Sequence, residues 1–520
     1  MSEIDGFARI DGWDGPGGPV LRHHPGSPER ARLEARLREL AAADTPLTMS
    51  VGGVRRLGRG ERIAVVQPHH HSARLGVLGN ATVEDVDAVV AGALKAAPVW
   101  QSLSFDDRAA VFLRAAELLT GPWRETVVAA TMLGQSKAAQ QAEADVVGGL
   151  VDAWRRDVRA ARRVLAEQTP SAPGVWSRTD HRPLPGFVCA ISPFGSTAVA
   201  GRLPTAPALM GNTVVWKPAP TQTLSAWHLL RVLEAAGLPP GVITMVTGDG
   251  QAVAEAALAH PALAGVHFSG SAATFQALWL QVGRHLDRYA ACPRLVGETA
   301  ERGFLLAHPS ADPALLKAAL VRGAFAYQGQ DCSAVARAYL PRSVWQAMKG
   351  DFLDEVRSLP VGDVSDVSNF MGAVIDAPAH DRIAGAIARA REVHSLDLVV
   401  GGHTDDAIGW FVEPTVITGT DPRQKLFQTD LFGPVLAVHV YDDARWAQTL
   451  DLVGATVPGV RTGRVVAEDR LAIAAALGGL RHAAEQLLIN DTPPTAAGNP
   501  ERDLARWTDA RSISEALASM

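Results

Sequence analysis

A chain of 520 residues exceeds one ordinary hydrophobic core, so two or three domains are expected. With 47% hydrophobic and 20% charged residues it reads as globular rather than disordered, and a net charge of −6 offers no basic footprint for nucleic acid. Three scattered cysteines, Cys189, Cys292 and Cys332, argue against a disulfide framework or zinc site and for a reducing compartment. Met1–Gly18 lacks a basic-then-apolar leader pattern and no apolar run has the length of a membrane span, so a cytoplasmic protein is the expectation.

Residues 27–44 mix Arg, Glu, Leu and Ala at helical period and predict a solvated amphipathic helix. Short strands follow in 62–81, around Ile63–Val66. His69, His70 and His71 read as loop or surface residues, because three adjacent histidines cannot all face one metal from a strand or turn. Ala-rich helices dominate 83–168, notably 83–96 and 107–119. From 186 to 300, strands at 187–191, 213–217, 242–246 and 265–268 alternate with helices at 197–210, 225–236, 252–259 and from 272. Pro204 and Pro207 weaken the helix at 197–210. Alternation of this kind predicts an α/β fold with a parallel, Rossmann-type dinucleotide-binding sheet. A second alternating region runs from 303 to 490.

Four places carry candidate chemistry. Gly270-Ser271 joins a strand to a helix, where free N–H groups suit a pyrophosphate, although an ordinary helix cap reads the same way. Lys217 ends a strand in Trp216-Lys217-Pro218; it faces the ligand crevice of a parallel sheet or is a solvated strand-end charge. Glu298, in Leu295-Val296-Gly297-Glu298-Thr299, is a base or a salt-bridge partner. Cys332 follows a Gly-Gln step in Tyr327-Gln328-Gly329-Gln330-Asp331-Cys332-Ser333, and taken alone is either a nucleophile or a small buried hydrophobe. A thiol that attacks a carbonyl carbon and a carboxylate that activates water would together make an acyl-enzyme cycle.

The order and spacing of these segments resemble the aldehyde dehydrogenase superfamily, and most nearly its branch that oxidises glutamate γ-semialdehyde. The segments are Val65–His69, Phe105–Phe112, Met132–Lys137, Gln141–Glu143, Leu203–Asn212 into Trp216–Pro218, Gly297–Thr299 and the Cys332 stretch. The resemblance implies a Rossmann-type dinucleotide domain (1–168 and 187–296), an α/β catalytic domain (297–495) and a small β extension for oligomerisation (169–186 and 505–520). It implies NAD or NADP as cofactor, a small-molecule aldehyde as substrate, no metal, and a homo-oligomer, dimer or higher. By the same resemblance Cys332 is the nucleophile and Glu298 the base. Lys217, Gly270, Ser271, Asp430 and Phe432 meet the cofactor; Glu143, Ser333, Gly195 and Ser196 meet the substrate.

The chain departs from the family pattern at several of these places. Pro193-Phe194-Gly195-Ser196 stands where the family has Pro-Phe-Asn-Phe, so an amide that donates to the oxyanion is missing. On this reading an asparagine at 195 would restore a donor. Ala300-Glu301-Arg302 replaces Gly-Gly-Lys, Asp430 replaces a glutamate, and Asp331 replaces a lysine before the nucleophile. The Gly-rich loop that grips the substrate carboxylate is absent, Thr492–Arg506 crossing that gap directly. The expectation is aldehyde oxidation through a Cys332 thioester with a substrate anchor lost. The alternatives are altered thiol and acyl chemistry in specialised metabolism, or a non-catalytic member.

Overall fold

The computed structural model describes residues 20–51, 53–299, 303–456, 460–490 and 499–517. Met1–Gly18 and Ala300-Glu301-Arg302 lie outside the described residues.

Apolar runs at the expected places form a 5-stranded sheet, all of whose strand pairs are parallel. Its order is Arg294–Glu298, Leu263–Ser269, Phe187–Ser192, Thr213–Pro218, Ile243–Met245. Strands covered on both faces need side chains that tolerate no water on either side, and Thr213–Pro218 is buried at every position. The chain enters at the central strand, builds outward through Thr213–Pro218 and Ile243–Met245, then returns to the other side for Leu263–Ser269. The order therefore reverses between Phe187–Ser192 and Leu263–Ser269, and the carboxyl ends of these two strands open a crevice. Helices Val83–Ser102, Phe105–Thr120, Arg124–Gln135 and Asp152–Ala166 flank this sheet, and one continuous core joins most of them to it.

A 7-stranded sheet follows in the order Leu396–Val400, Thr415–Gly419, Val435–Tyr441, Val335–Pro341, Gly303–Ala307, Val460–Val466, Ala484–Ile489. Only the edge strand Leu396–Val400 runs antiparallel to its neighbour. The chain leaves the carboxyl end of the first sheet at Glu298 and enters the amino end of the second at Gly303. Carboxyl ends of one sheet thus meet amino ends of the other at a seam. The strand Arg294–Glu298 itself crosses the boundary expected at 296–297.

A third piece is a ribbon of Val175–Pro183 and Thr508–Ala516, paired antiparallel along its whole length. Cross-strand ion pairs Arg178–Glu515, Arg182–Asp509 and Arg511–Asp180 line it, and Trp176 is exposed. Two strands alone are marginal in water, so the ribbon is rooted elsewhere. Its root is the buried Trp507, whose carbonyl accepts from Asn212 Nδ2 at 2.9 Å.

Three local readings change. The helix Pro28–Ala42, capped by Ser27, buries Leu33, Leu37 and Leu40 and is not simply solvated. His69 is buried between Ser136 Oγ (3.2 Å) and Asp363 (3.3 Å), not on the surface. The helix Thr197–Leu209 continues through both prolines, because its buried packing outweighs the lost backbone bonds. Among the described residues no helix is long and apolar enough to cross a membrane.

Candidate active site

The Cys332 turn is built on an unusual backbone. Tyr327, Gln328 and Gly329 have φ of 52°, 55° and 63° in succession. Left-handed non-glycine residues cost roughly 1–2 kcal/mol each, so neighbours must hold them. Gln328 Nε2 donates to the carbonyls of Ser136 (2.8 Å) and Ala373 (2.6 Å), and Gln330 Oε1 accepts from Ile375 N (2.9 Å). The clamped turn delivers a half-buried Cys332 just before the strand Val335–Pro341. Burial pushes its thiol up to about 12; the carboxylates of Asp331 and Glu298 add to the rise, while Arg461 opposes it.

Glu298 ends its strand with a quarter of its side chain exposed, and two guanidinium groups meet it there. Arg461 Nη1 lies 3.4 Å from one carboxylate oxygen and Arg202 Nη1 lies 3.9 Å from the other. Arg202 also holds the buried Asp157 (2.9 and 3.2 Å) and lies 3.6 Å from Asp503. Neither arginine is singled out by the sequence, since Arg461 belongs to the second sheet and Arg202 to a helix of the first. The segment expected to cross the missing anchor loop ends in the short helix Pro500–Ala505, which packs on Asp152–Ala166 and brings Asp503 here. Residues 491–498 lie outside the described ones.

On the other side of the turn, a Cβ at Gly195 would stand 3.0 Å from the Gln330 carbonyl oxygen. That corrects the expectation that asparagine at 195 simply adds a donor, because the added side chain presses on the nucleophile turn. Lys137, buried over the Tyr327 ring, donates to Gly195 O (2.9 Å) and to Asp145 Oδ2 (2.6 Å). Ser196 Oγ donates to Asp145 Oδ1 (2.7 Å) and accepts from Val199 N (3.1 Å), so it caps the helix Thr197–Leu209. Its hydroxyl is committed to that cap. Asp145 stands in a π-helical stretch, Ala144–Val151, and such wide turns recur at functional sites. Sequence periodicity carried no sign of it.

Two residues expected beside the substrate have partners within the chain. Glu143 is fully buried: Arg124 Nε (2.8 Å) and Leu21 N (3.2 Å) donate to it and His23 lies 3.5 Å away, so it ties the chain's early segment to the helical layer. Ser333 gives both its N–H (2.7 Å) and its hydroxyl (2.6 Å) to Asp331 Oδ1, and its carbonyl accepts from Arg464 Nη1 (2.6 Å).

Lys217, Gly270 and Ser271 stand at carboxyl ends of first-sheet strands, and Asp430 and Phe432 in a loop of the second sheet. Lys217 is buried at its strand end; burial lowers its ammonium to about 8, and Asp249 opposes the fall. A Cβ at Gly250 would lie 3.2 Å from Lys217 Nζ. Ser271 caps the exposed N-terminus of Ala272–Arg284 by accepting from Thr274 N (3.2 Å), and a Cβ at Gly270 would collide with the Phe268 ring at 2.6 Å. A buried ammonium and a helix N-terminus at the switch point fit a nicotinamide dinucleotide. Asp430 Oδ1 accepts from Phe432 N (2.9 Å) and so shapes its own loop. Phe432, at φ 47°, packs edge-on against Phe194 at 5.9 Å.

Comparison with known proteins gives the family. The Aldehyde dehydrogenase family pattern matches residues 56–498. The chain is 40% identical over 482 residues to the Delta-1-pyrroline-5-carboxylate dehydrogenase of Agaricus bisporus, covering 91% of this chain and 87% of that one. It is 40% identical over 474 residues to the mitochondrial Delta-1-pyrroline-5-carboxylate dehydrogenase of Bos taurus, covering 91% and 84%. Among solved structures it superposes with a TM-score of 0.94 and 50% identity on the Mycobacterium tuberculosis Delta-pyrroline-5-carboxylate dehydrogenase bound with NAD, covering 99% and 98%. A family pattern over most of the chain, and relatives matched along nearly their whole lengths, place this chain in the aldehyde dehydrogenase family.

Proposed function

We propose that the chain oxidises an aldehyde to a carboxylic acid with NAD or NADP, through a thioester on Cys332. The observation that carries this is the clamped Cys332 turn standing at the seam with Glu298, beside a dinucleotide-type crevice. Cys332 Sγ, as thiolate, bonds to the aldehyde carbon. Lys217 and the Gly270-Ser271 helix end would hold the dinucleotide, whose chemistry when bound would be to accept the hydride; loss of that hydride from the tetrahedral carbon leaves a thioester on Cys332. Glu298 takes a proton from water, the water oxygen bonds to the acyl carbon, and the C–S bond breaks to release the acid and the thiol.

The activity for which the relatives are named makes glutamate γ-semialdehyde, the open form of pyrroline-5-carboxylate, the first aldehyde to test. The missing amide at Gly195 removes an oxyanion donor and predicts slow turnover, below about 10⁴ M⁻¹s⁻¹ in kcat/KM. Nothing in the likenesses favours altered acyl chemistry or a binding-only role. The exposed ribbon suits pairing with a second copy, so a homo-oligomer is proposed. Three free thiols suit a reducing compartment such as the cytoplasm, although the bovine relative is mitochondrial.

The test is NAD(P)H formation across an aldehyde panel, with Cys332→Ala beside the wild type. Loss of all turnover in a folded variant that still binds the dinucleotide is expected. Normal turnover by Cys332→Ala would remove the nucleophile assignment and this function with it.

A further inference from the structure

We propose that Arg461, backed by Arg202, is a positioning residue: its guanidinium clamps the Glu298 carboxylate at the seam and is the cation that carboxylate and Cys332 share. The proposal rests on the aldehyde oxidation set out above. It starts from placement. Arg461 is the second residue of Val460–Val466, which pairs with Gly303–Ala307, which pairs in turn with Val335–Pro341, the strand that Cys332 precedes. Arg461 and Cys332 therefore stand at the same end of one sheet, facing Glu298 at the end of the other. Arg464 of the same strand donates to Ser333 O at 2.6 Å, so this strand touches both halves of the site.

The two cations on Glu298 are not equivalent. Arg202 is already bound to Asp157 and leans toward Asp503, and it stands 3.9 Å from Glu298. Arg461 is nearer, at 3.4 Å, and in ordinary hydrogen-bond reach. About a quarter of the Glu298 side chain and 30% of Arg461 are exposed, so their contact is partly screened and can open during turnover.

Among the described residues, the charges that act most on these groups are these. Cys332 meets Asp331 on its own turn, Glu298 from the first sheet and Arg461 from the second. Arg461 meets Glu298, Cys332, Asp331 and Glu485 of the neighbouring strand. Arg461 is thus the cation opposing two carboxylates at the thiol, and its hold on Glu298 draws it away from the sulfur. Removing the Glu298 charge takes away a repulsion and frees Arg461 for the thiolate. Removing Arg461 takes away the described cation that offsets Asp331 and Glu298 at the thiol, and leaves Glu298 with Arg202, its more distant described partner.

The rate at which iodoacetamide labels Cys332 in the full chain reads this directly, because only the thiolate reacts. Labelling is followed by peptide mass between about pH 6.5 and 9.5, since the exposed Cys292 also reacts. Arg461→Met should label about tenfold more slowly at each pH, a shift of about one unit in the profile. Arg461→Lys should recover part of the rate. Glu298→Gln should label about tenfold faster, and by less in the Arg461→Met background, because one guanidinium serves both groups. In turnover, Arg461→Met should lower kcat more than it changes KM, since Glu298 acts on the thioester.

Equal labelling rates for wild type and Arg461→Met, in variants of unchanged melting temperature, would overturn the proposal. So would strict additivity of the two substitutions. Should the wild type oxidise no aldehyde, the functional reading falls, and the labelling series still decides whether Arg461 is shared.

Discussion

The fate of position 195 turns on one contact. A Cβ there meets the Gln330 carbonyl oxygen at 3.0 Å, and Gln330 has little room to retreat. Its N–H donates to Tyr327 O and its side chain accepts from Ile375 N, both at 2.9 Å. Gly195→Asn is therefore expected to cost about 1–3 kcal/mol of stability and to slow aldehyde oxidation, although the amide it adds is the right kind of donor. Gly195→Ala separates the two effects, for it brings the clash without the amide. A faster Asn variant beside a slower Ala variant, by steady-state kinetics, would show that the absent donor outweighs the contact. Cys332 is picked out as a candidate by the order and spacing it shares with the family segments, since taken alone a thiol after a Gly-Gln step leaves both readings open. The left-handed pair Tyr327-Gln328 is not legible in the sequence, because what holds it are the carbonyls of Ser136 and Ala373, remote along the chain.

Elements read from sequence in proportion to how local their causes are. The strands at 187–192 and 213–218 are apolar along their length because both faces are covered, and their alternation with helices gives the parallel sheet directly. The π-helix Ala144–Val151 and the meeting of Glu298 with Arg461 have no such mark, since partners 163 residues apart are brought together only by the seam. Glu143, at the entrance to that π-helix, provides an element-level test. Burial alone would raise its carboxyl, but the nearby His23, the Arg124 hydrogen bond and the Arg124 charge hold it below the ordinary 4.5. The unfolded chain therefore binds the proton first on acidification. The stabilisation is complete above about pH 4.5 and is lost as the pH falls toward the lower folded-state value. Glu143→Gln should be less stable at pH 7 by about 3 kcal/mol, as expected for breaking a buried pair, and should lose less than wild type on going to pH 3.5. Parallel urea midpoints at both pH values would show that this carboxylate does not anchor the helical layer.

The molecule as a whole carries a second acid sensitivity, set by histidines that it keeps neutral. Burial is the largest cause in each case: it lowers His69 and His228 to about 4 and His267 to about 3, against an ordinary 6.5. Arg202, which leans on Glu298, also pushes His267 down, so the site's charges reach into the first core. Between about pH 6.5 and 4 the unfolded chain binds protons that the native state refuses. Stability should therefore fall on acidification through this window, by at most about 1.4 kcal/mol per pH unit for each histidine. Asp157, raised by burial, acts with the opposite sign, so the contribution is best isolated at one ring. His228 suits this, since both its ring nitrogens are buried without a hydrogen-bond partner among the described residues, and Arg231 and Arg36 further disfavour its charge. His228→Leu removes two unsatisfied polar atoms as well as the proton site. It should raise the melting temperature at pH 7.5, and raise it more at pH 5, where wild type must also resist protonation. Calorimetry at the two pH values decides it: an equal gain at both would mean that His228 does not titrate on unfolding, and a loss at both would mean that its ring is held by contacts worth more than its unpaired nitrogens cost.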